Sequence, residues 1–392
     1  MNIFIIPSWY PSESNPIYGI FTQEQARLIA REKPEFQVGV SLWGQGVDDL
    51  MLPALSPASL VKLFDTHSEK VNMLQPNLAE YFSPAFTWTR RFRKGNIEGI
   101  IEANLNNLEK HIQKFGKPDI ICAHASYPAS IVAKRISKKF SIPYTVTIYM
   151  SPFPFDEFLS RNGSIKKIVE EPLKQADLLL CSCSALEKRL FEFGFSNTAV
   201  VPLPVDADFF VPGQTVDAKK VQMLALGRVV EQKGFDLLLK AVSKIETPFE
   251  LRIGGDGDMK TKYQALSKQL KLTDKVVWLG LLDKNQTLQE MQNCDFFVLS
   301  SRHETFGLVQ VEAMLCGKPV VATKCGGPED IVTNETGYLC ENLDVEDLRE
   351  KIELMIKNHK SFSPEKIRTH AKSKFGQTAW LTQIEALFRG LV

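Results

Sequence analysis

The chain has 392 residues, 44% hydrophobic and 24% charged, with a formal net charge of +1 from 47 basic and 46 acidic side chains. That apolar content excludes wholesale disorder and is enough for two domain cores. So even a charge balance argues against a dedicated nucleic-acid binder. No run reaches the roughly 18 apolar residues of a membrane span. The opening Met1-Asn2-Ile3-Phe4-Ile5-Ile6-Pro7 lacks the basic stretch and long apolar core of a signal peptide, so a short buried strand is expected there. Seven cysteines without zinc spacing, beside six scattered histidines, are expected to be reduced thiols of a cytoplasmic protein.

Strand-like apolar runs then alternate with helical patterns. In the first half the runs fall at 2–6, 38–43, 119–123, 144–149, 177–182 and 199–201, with helical patterns at about 19–32, 97–115, 128–140, 164–175 and 184–193. Residues 44–96 show no regular period. A second series opens with Val221-Gln222-Met223-Leu224-Ala225-Leu226 and continues at 249–253, 276–279, 295–299, 319–322 and 337–340. Short unbroken apolar runs mark strands covered on both faces, so both halves are expected to be α/β, with largely parallel sheets. Pro202, Pro204, Pro212 and Gly213 interrupt any regular element between them. The expected division is therefore 1–205 and 206–375. A last helical stretch, about 376–391, carries Trp380, Ile384, Leu387 and Phe388 on one face and is free to pack on either half, including back on the first. Two such domains in tandem are expected to face each other across a cleft at the carboxyl ends of their sheets, where these folds bind ligands.

The densest block of chemistry runs from Cys294 to Pro319. A strand ends at Leu299, and a polar loop carries His303 and Glu304. A helix starts near Phe306, Gly307 and Leu308 and closes at Gly317. Free amides at such a helix start suit a phosphate. Glu304 precedes the helix, where it can meet a hydroxyl-rich group. Glu312 lies within it, and two carboxylate oxygens can grip vicinal hydroxyls such as those of a ribose. After the first strand of the second half comes Gly227-Arg228-Val229-Val230-Glu231-Gln232-Lys233-Gly234. Arg228, a planar fork, and Lys233, a point charge, can neutralise a diphosphate. Gly254 begins a Gly-Gly-Asp-Gly turn, and Gly280 ends the next strand. Glycines there let backbone approach a ligand. In the first half, Gly19 stands at a helix start as an anion cradle, and His124 ends a strand. Residues 86–140 carry eleven cations against four anions, with Phe82, Phe86, Trp88 and Phe92 among the first cluster. The excess suits docking on anionic lipid.

Glu304-x7-Glu312, Gly317-Lys318-Pro319-Val320-Val321-Ala322 and Gly326-Gly327-Pro328-Glu329 together resemble the retaining glycosyltransferases of family 4, also called glycosyl transferases group 1, of GT-B fold, which implies two Rossmann-like domains. The segment Ser8 to Ala26 resembles their polysaccharide- and lipopolysaccharide-assembly branch. The resemblance implies transfer of a sugar from a UDP- or GDP-sugar to a glycan or lipid-linked acceptor, by a cytoplasmic enzyme that can sit on the inner face of the membrane. It implies that Arg228 and Lys233 hold the diphosphate, so that side chains stand in for magnesium and neither metal nor cofactor is needed. It assigns His124 and Glu304 to the donor sugar and Glu312 to the ribose. Gly19, Gly254, Gly280, Phe306, Gly307 and Leu308 are assigned to the rest of the donor. Two departures bear on the acceptor side. The strand at 144–149 ends Tyr149-Met150 where relatives often have Glu-His or His-Gly, and the linker reads Pro202-Leu203-Pro204-Val205-Asp206 in place of Pro-Asn-Gly-Val-Asp. A sugar-nucleotide epimerase or a phosphorylase of the same architecture is the second reading. A catalytically silent subunit of a glycan-assembly complex is the third, and intact Glu304, Glu312, Arg228 and Lys233 argue against it.

Overall fold

The computed structural model of the protein describes residues 1–13, 15, 16, 18–45, 51, 52, 68–85, 87, 88, 96–149, 152–213 and 220–392. The chain forms two compact units. One comprises Met1–Cys181, Glu187–Val200 and Gln383–Val392, the other Ser182–Leu186 and Val201–Thr382. Among the described residues, no helix is long and apolar enough to cross a membrane.

The first unit contains strands β1 (Asn2–Pro7), β2 (Gln37–Leu42), β3 (Met51–Leu52), β4 (Lys70–Gln75), β5 (Leu78–Phe82), β6 (Thr87–Trp88), β7 (Ile120–His124), β8 (Tyr144–Ile148), β9 (Leu178–Cys181) and β10 (Thr198–Val200). Its main sheet runs β10-β9-β8-β7-β1-β2-β5-β4. Every pair is parallel except β4 with β5. That antiparallel hairpin lies within 44–96, where no period was legible. Helices α1 (Ile20–Glu32), α2 (Ile97–Phe115), α3 (Ala129–Phe140), α4 (Lys167–Lys174) and α5 (Ser184–Glu192) connect the strands. β1 and β7 are buried along their whole length, as unbroken apolar runs require. The chain builds outward from β1 to β2 on one side and returns to β7 on the other, which makes the β1/β7 boundary a topological switch point.

One buried polar contact ties the amino end of this sheet to α2. His111 Nε2 lies 2.7 Å from Asn2 Oδ1, and Asn2 Nδ2 donates to the carbonyls of Phe115 and Gly116 at 3.1 and 3.0 Å. The imidazole stands among the rings of Phe4, Tyr81 and Phe115, directly against Gly39 of β2. Burial pushes its pKa down to about 4, so it is neutral at pH 7.

The second unit contains β11 (Val221–Leu226), β12 (Phe249–Gly254), β13 (Val276–Gly280), β14 (Phe296–Leu299), β15 (Val320–Thr323) and β16 (Gly337–Cys340). All are parallel, in the order β13-β12-β11-β14-β15-β16. This is the doubly wound order, with its switch point between β11 and β14. The helices are α6 (Phe235–Val242), α7 (Lys260–Gln269), α8 (Lys284–Asn293), α9 (Leu308–Leu315), α10 (Pro328–Ile331), α11 (Val345–Asn358), α12 (Pro364–Phe375) and α13 (Gln377–Arg389). Successive strand residues feed opposite cores, since side chains alternate across a strand. Met223, Phe296 and Val298 join the cluster that includes Leu238 and Ile352, and Leu224, Phe297 and Leu299 join the one that includes Val311 and Ile367. Local chemistry fixes the helix starts: Asp283 and Gln286 form a capping box on α8, and Asp344 accepts from two amides of α11. The end of α13 belongs to the first unit, where Lys33 pairs with Glu385 at 2.6 Å and Gln383 donates to the Val200 carbonyl at 2.7 Å.

Gly39 has no room for a side chain, because the His111 ring it would strike is held by Asn2. Gly39→Ala is therefore expected to cost about 1–3 kcal/mol of stability, measured as a lowered urea midpoint; an unchanged midpoint would mean that the ring yields.

Candidate functional site

In the second unit the two motif loops leave β11 and β14, the strands that flank the switch point. Most of their contacts involve a side chain. Arg302 N donates to the Gln232 carbonyl at 2.8 Å, and Gln232 Nε2 donates to the His303 carbonyl at 2.9 Å. Ser300 Oγ donates to the Lys233 carbonyl at 3.1 Å. Gly234 takes a left-handed φ of 63°, and a Cβ there would overlap the Ser300 carbonyl, so only glycine lets the loops meet this closely. Arg302 closes the junction with a fork on Asp236, both bonds 2.9 Å, and a third bond to the Glu231 carbonyl at 2.8 Å. Burial works to raise the Asp236 carboxyl, and the Arg302 guanidinium, helped by Lys240, outweighs it and holds the carboxyl below its usual value.

This junction brings Lys233 onto Glu304: the ammonium is bonded to Oε1, which also accepts from Ser301 Oγ at 2.9 Å. Glu304 is buried. Its main chain is pinned as well, by Glu304 N to the Cys325 carbonyl at 3.0 Å and Gly327 N to the Glu304 carbonyl at 2.9 Å. Oε2 has no hydrogen bond among the described residues. Arg228 is exposed, and its guanidinium has no partner among the described residues.

Gly307, at φ 91°, caps α9. The amides of Gly307, Leu308 and Val309 have no acceptor among the described residues. Phe306 differs from its neighbours: its ring is buried against Phe375, with centroids 5.6 Å apart, so only its main chain is available to a ligand. Glu312 is half-buried on the second turn of α9. Gly254 is filled in by Leu226 and Leu282, so glycine serves packing there, whereas nothing lies within 4 Å of a Cβ built at Gly280. Trp278, next to Gly280, packs against the core cluster of β11 and β12.

In the first unit, Gly19 lies after β1 and His124 is the last residue of β7, the strands that flank the other switch point. Gly19 caps α1 at φ 69°, and a Cβ there would overlap the Trp9 carbonyl. The amides of Gly19, Ile20 and Phe21 have no acceptor among the described residues. His124 is held by main chain on both sides: Ser8 N donates to its carbonyl and Ala125 N to the Thr147 carbonyl, each at 2.9 Å. Ala125 adopts φ 70°, an unfavourable region for a residue with a Cβ, immediately after the candidate histidine. Burial pushes the His124 pKa down to about 4, which makes it a neutral hydrogen-bonding ring at pH 7.

Part of the basic window, including Arg90, Arg91, Phe92, Arg93 and Lys94, lies outside the described residues. Of the rest, Lys110, Lys134 and Arg135 pair with Glu69, Glu171 and Glu98. Lys114, Lys138 and Lys139 occupy the last turns of α2 and α3, where cations complement the helix dipole. Sequence reasoning did not single out Ser301, Arg302 or Asp236. The partners Arg302 and Asp236 are 66 positions apart, and no local signal links them.

The chain is similar to known glycosyltransferases. The description Glycosyltransferase Family 4 matches residues 76–209, and Glycosyl transferases group 1 matches residues 207–374. An uncharacterized glycosyltransferase of Methanocaldococcus jannaschii is 30% identical over 258 residues, 65% of this chain and 70% of that one. The lipopolysaccharide core biosynthesis glycosyltransferase LpsE of Rhizobium meliloti is 24% identical over 301 residues, 70% of this chain and 78% of its own. The crystal structure of Anabaena HepE in complex with UDP aligns with a TM-score of 0.71 at 19% identity, over 100% of both chains.

Arg302→Leu removes the fork that joins the two loops of the second unit and leaves Asp236 without its partner. A loss of about 2 kcal/mol is expected, read as a lower denaturation midpoint. An unchanged midpoint would show that the remaining bonds between the loops suffice.

Proposed function

From a chain that belongs to the family 4, group 1 glycosyltransferases of GT-B fold, we propose transfer of a sugar, with retention at its anomeric carbon, from a UDP- or GDP-sugar to a glycan or lipid-linked acceptor of a cell-surface polysaccharide. One observation carries this reading. At the switch point of the second unit, Lys233, Glu304 and the free amides of Gly307 and Leu308 belong to the two flanking loops. UDP in HepE and the lipopolysaccharide role of LpsE favour the donor and acceptor classes.

The chemistry follows from what each group has to offer. A lysine ammonium has three donors. One goes to Glu304 and two remain for phosphate oxygens. Arg228 adds a fork, and the α9 amides add fixed dipoles that need no reorganisation as charge builds on the leaving diphosphate. Side-chain cations then do the work that a divalent metal does elsewhere. The departing phosphate oxygen takes the acceptor's proton on the face it leaves, so the new bond forms with retention and no nucleophile–acid carboxylate pair is required. Glu304, through Oε2, and His124, as a neutral ring, orient the donor sugar. Glu312 takes the ribose hydroxyls, and Gly19 meets the phosphate. The exposed Lys114, Lys117, Lys138 and Lys139 remain for anionic lipid.

Arg228→Ala combined with Lys233→Ala is expected to abolish transfer with circular dichroism unchanged. The assay is release of nucleoside diphosphate from UDP- and GDP-sugars, the product's anomeric configuration being read by NMR. Retained turnover would sink the leaving-group role, an inverted product the mechanism, and a changed sugar with no acceptor would favour an epimerase. Glu312→Ala is expected to weaken UDP binding about tenfold or more, the worth of hydrogen bonds to a charged group; calorimetry giving the parent affinity would remove Glu312 from the ribose.

A further inference from the structure

The residue that departs from the family pattern, Tyr149, has a defined position beside His124. Its hydroxyl lies 3.0 Å from His124 Nδ1, and the two rings stack at 25° with centroids 5.7 Å apart. From the other side α1 supplies two residues one turn apart. Phe21 packs on the Tyr149 ring at 4.7 Å, and buried Gln25 presents Oε1 to the phenol at 3.3 Å. We infer that Tyr149 is a positioning residue, which with Gln25 fixes His124 in one tautomer, Nδ1–H, and leaves Nε2 as a bare acceptor for a hydroxyl of the bound sugar.

The argument counts protons. His124 is neutral, so it carries one N–H. Burial holds the phenol pKa well above its ordinary value, so Tyr149 carries one O–H. A carboxamide oxygen can only accept, so the phenol proton goes to Gln25 Oε1. The phenol oxygen then accepts from His124 Nδ1–H. In the opposite arrangement the phenol donates to Nδ1, and the Gln25 and Tyr149 oxygens face each other without a proton, which is costly in a buried setting. Backbone bonds to β1 and β8 stop the imidazole from escaping by main-chain movement. The inference rests on the proposed contact of His124 with the donor sugar, and its test separates the two.

Protein labelled with 15N-histidine, with the His124 signals assigned by their loss in His124→Ala, reports the tautomer by long-range 1H–15N correlation. The expected parent spectrum has Nδ1 protonated and Nε2 unprotonated. Tyr149→Phe removes the acceptor, and the proton moves to Nε2. Its kcat is expected to fall about tenfold, the worth of one hydrogen bond, with the donor KM within about twofold. Gln25→Leu leaves both rings in place and should move the proton in the same direction, which keeps the test open if Tyr149→Phe folds poorly. A parent Nε2–H, or a tautomer unmoved in both variants, overturns the inference. So does a moved tautomer with kcat unchanged. If His124→Ala retains full transfer, it is the donor-sugar contact that fails, and the tautomer result still stands or falls on its own spectra.

Discussion

A lysine ammonium held on a buried carboxylate is the interaction that joins the two motif loops of the second unit. Lys233 and Glu304 come from loops 71 positions apart and meet beside helix amides that nothing else in the described chain uses. Buried charges are tolerated only when paired and hydrogen-bonded. Here the carboxylate is also bonded by Ser301, and its main chain is anchored at both its amide and its carbonyl. The pair therefore holds a cation in a partly buried place without leaving it unbalanced.

Two parallel sheets make such a site possible twice. In each unit the strand order reverses beside the first strand, so the loops on either side diverge and expose main-chain amides. The second unit furnishes the charged groups. The first furnishes a glycine-capped helix start and a histidine made neutral by burial.

Local departures from comfortable backbone geometry fall at the same loops. Ala125 holds a left-handed φ right after His124, and Gly234 admits the Ser300 carbonyl where any Cβ would collide. Strain of this kind persists only where surrounding hydrogen bonds over-determine the backbone, and at His124 they come from both neighbouring strands.

The sequence alone carried the α/β class, the strands of the second sheet, all but β4 and β5 of the first main sheet, and the motif loops, because unbroken apolar runs and glycines have short-range meanings that need no partner. It also singled out Lys233, Glu304, Gly307 and His124. It left the β4–β5 hairpin unread, because the burial pattern of an exposed edge strand carries no clear period. The ion pair between two candidate residues, the Arg302–Asp236 fork, the inward turn of the Phe306 ring and the stacking of Tyr149 on His124 were decided only by tertiary structure. The physical reason is the same in each case. These contacts join residues far apart in the chain, and which of two equally plausible polar or aromatic side chains faces a partner depends on strand register and helix packing that no local pattern encodes.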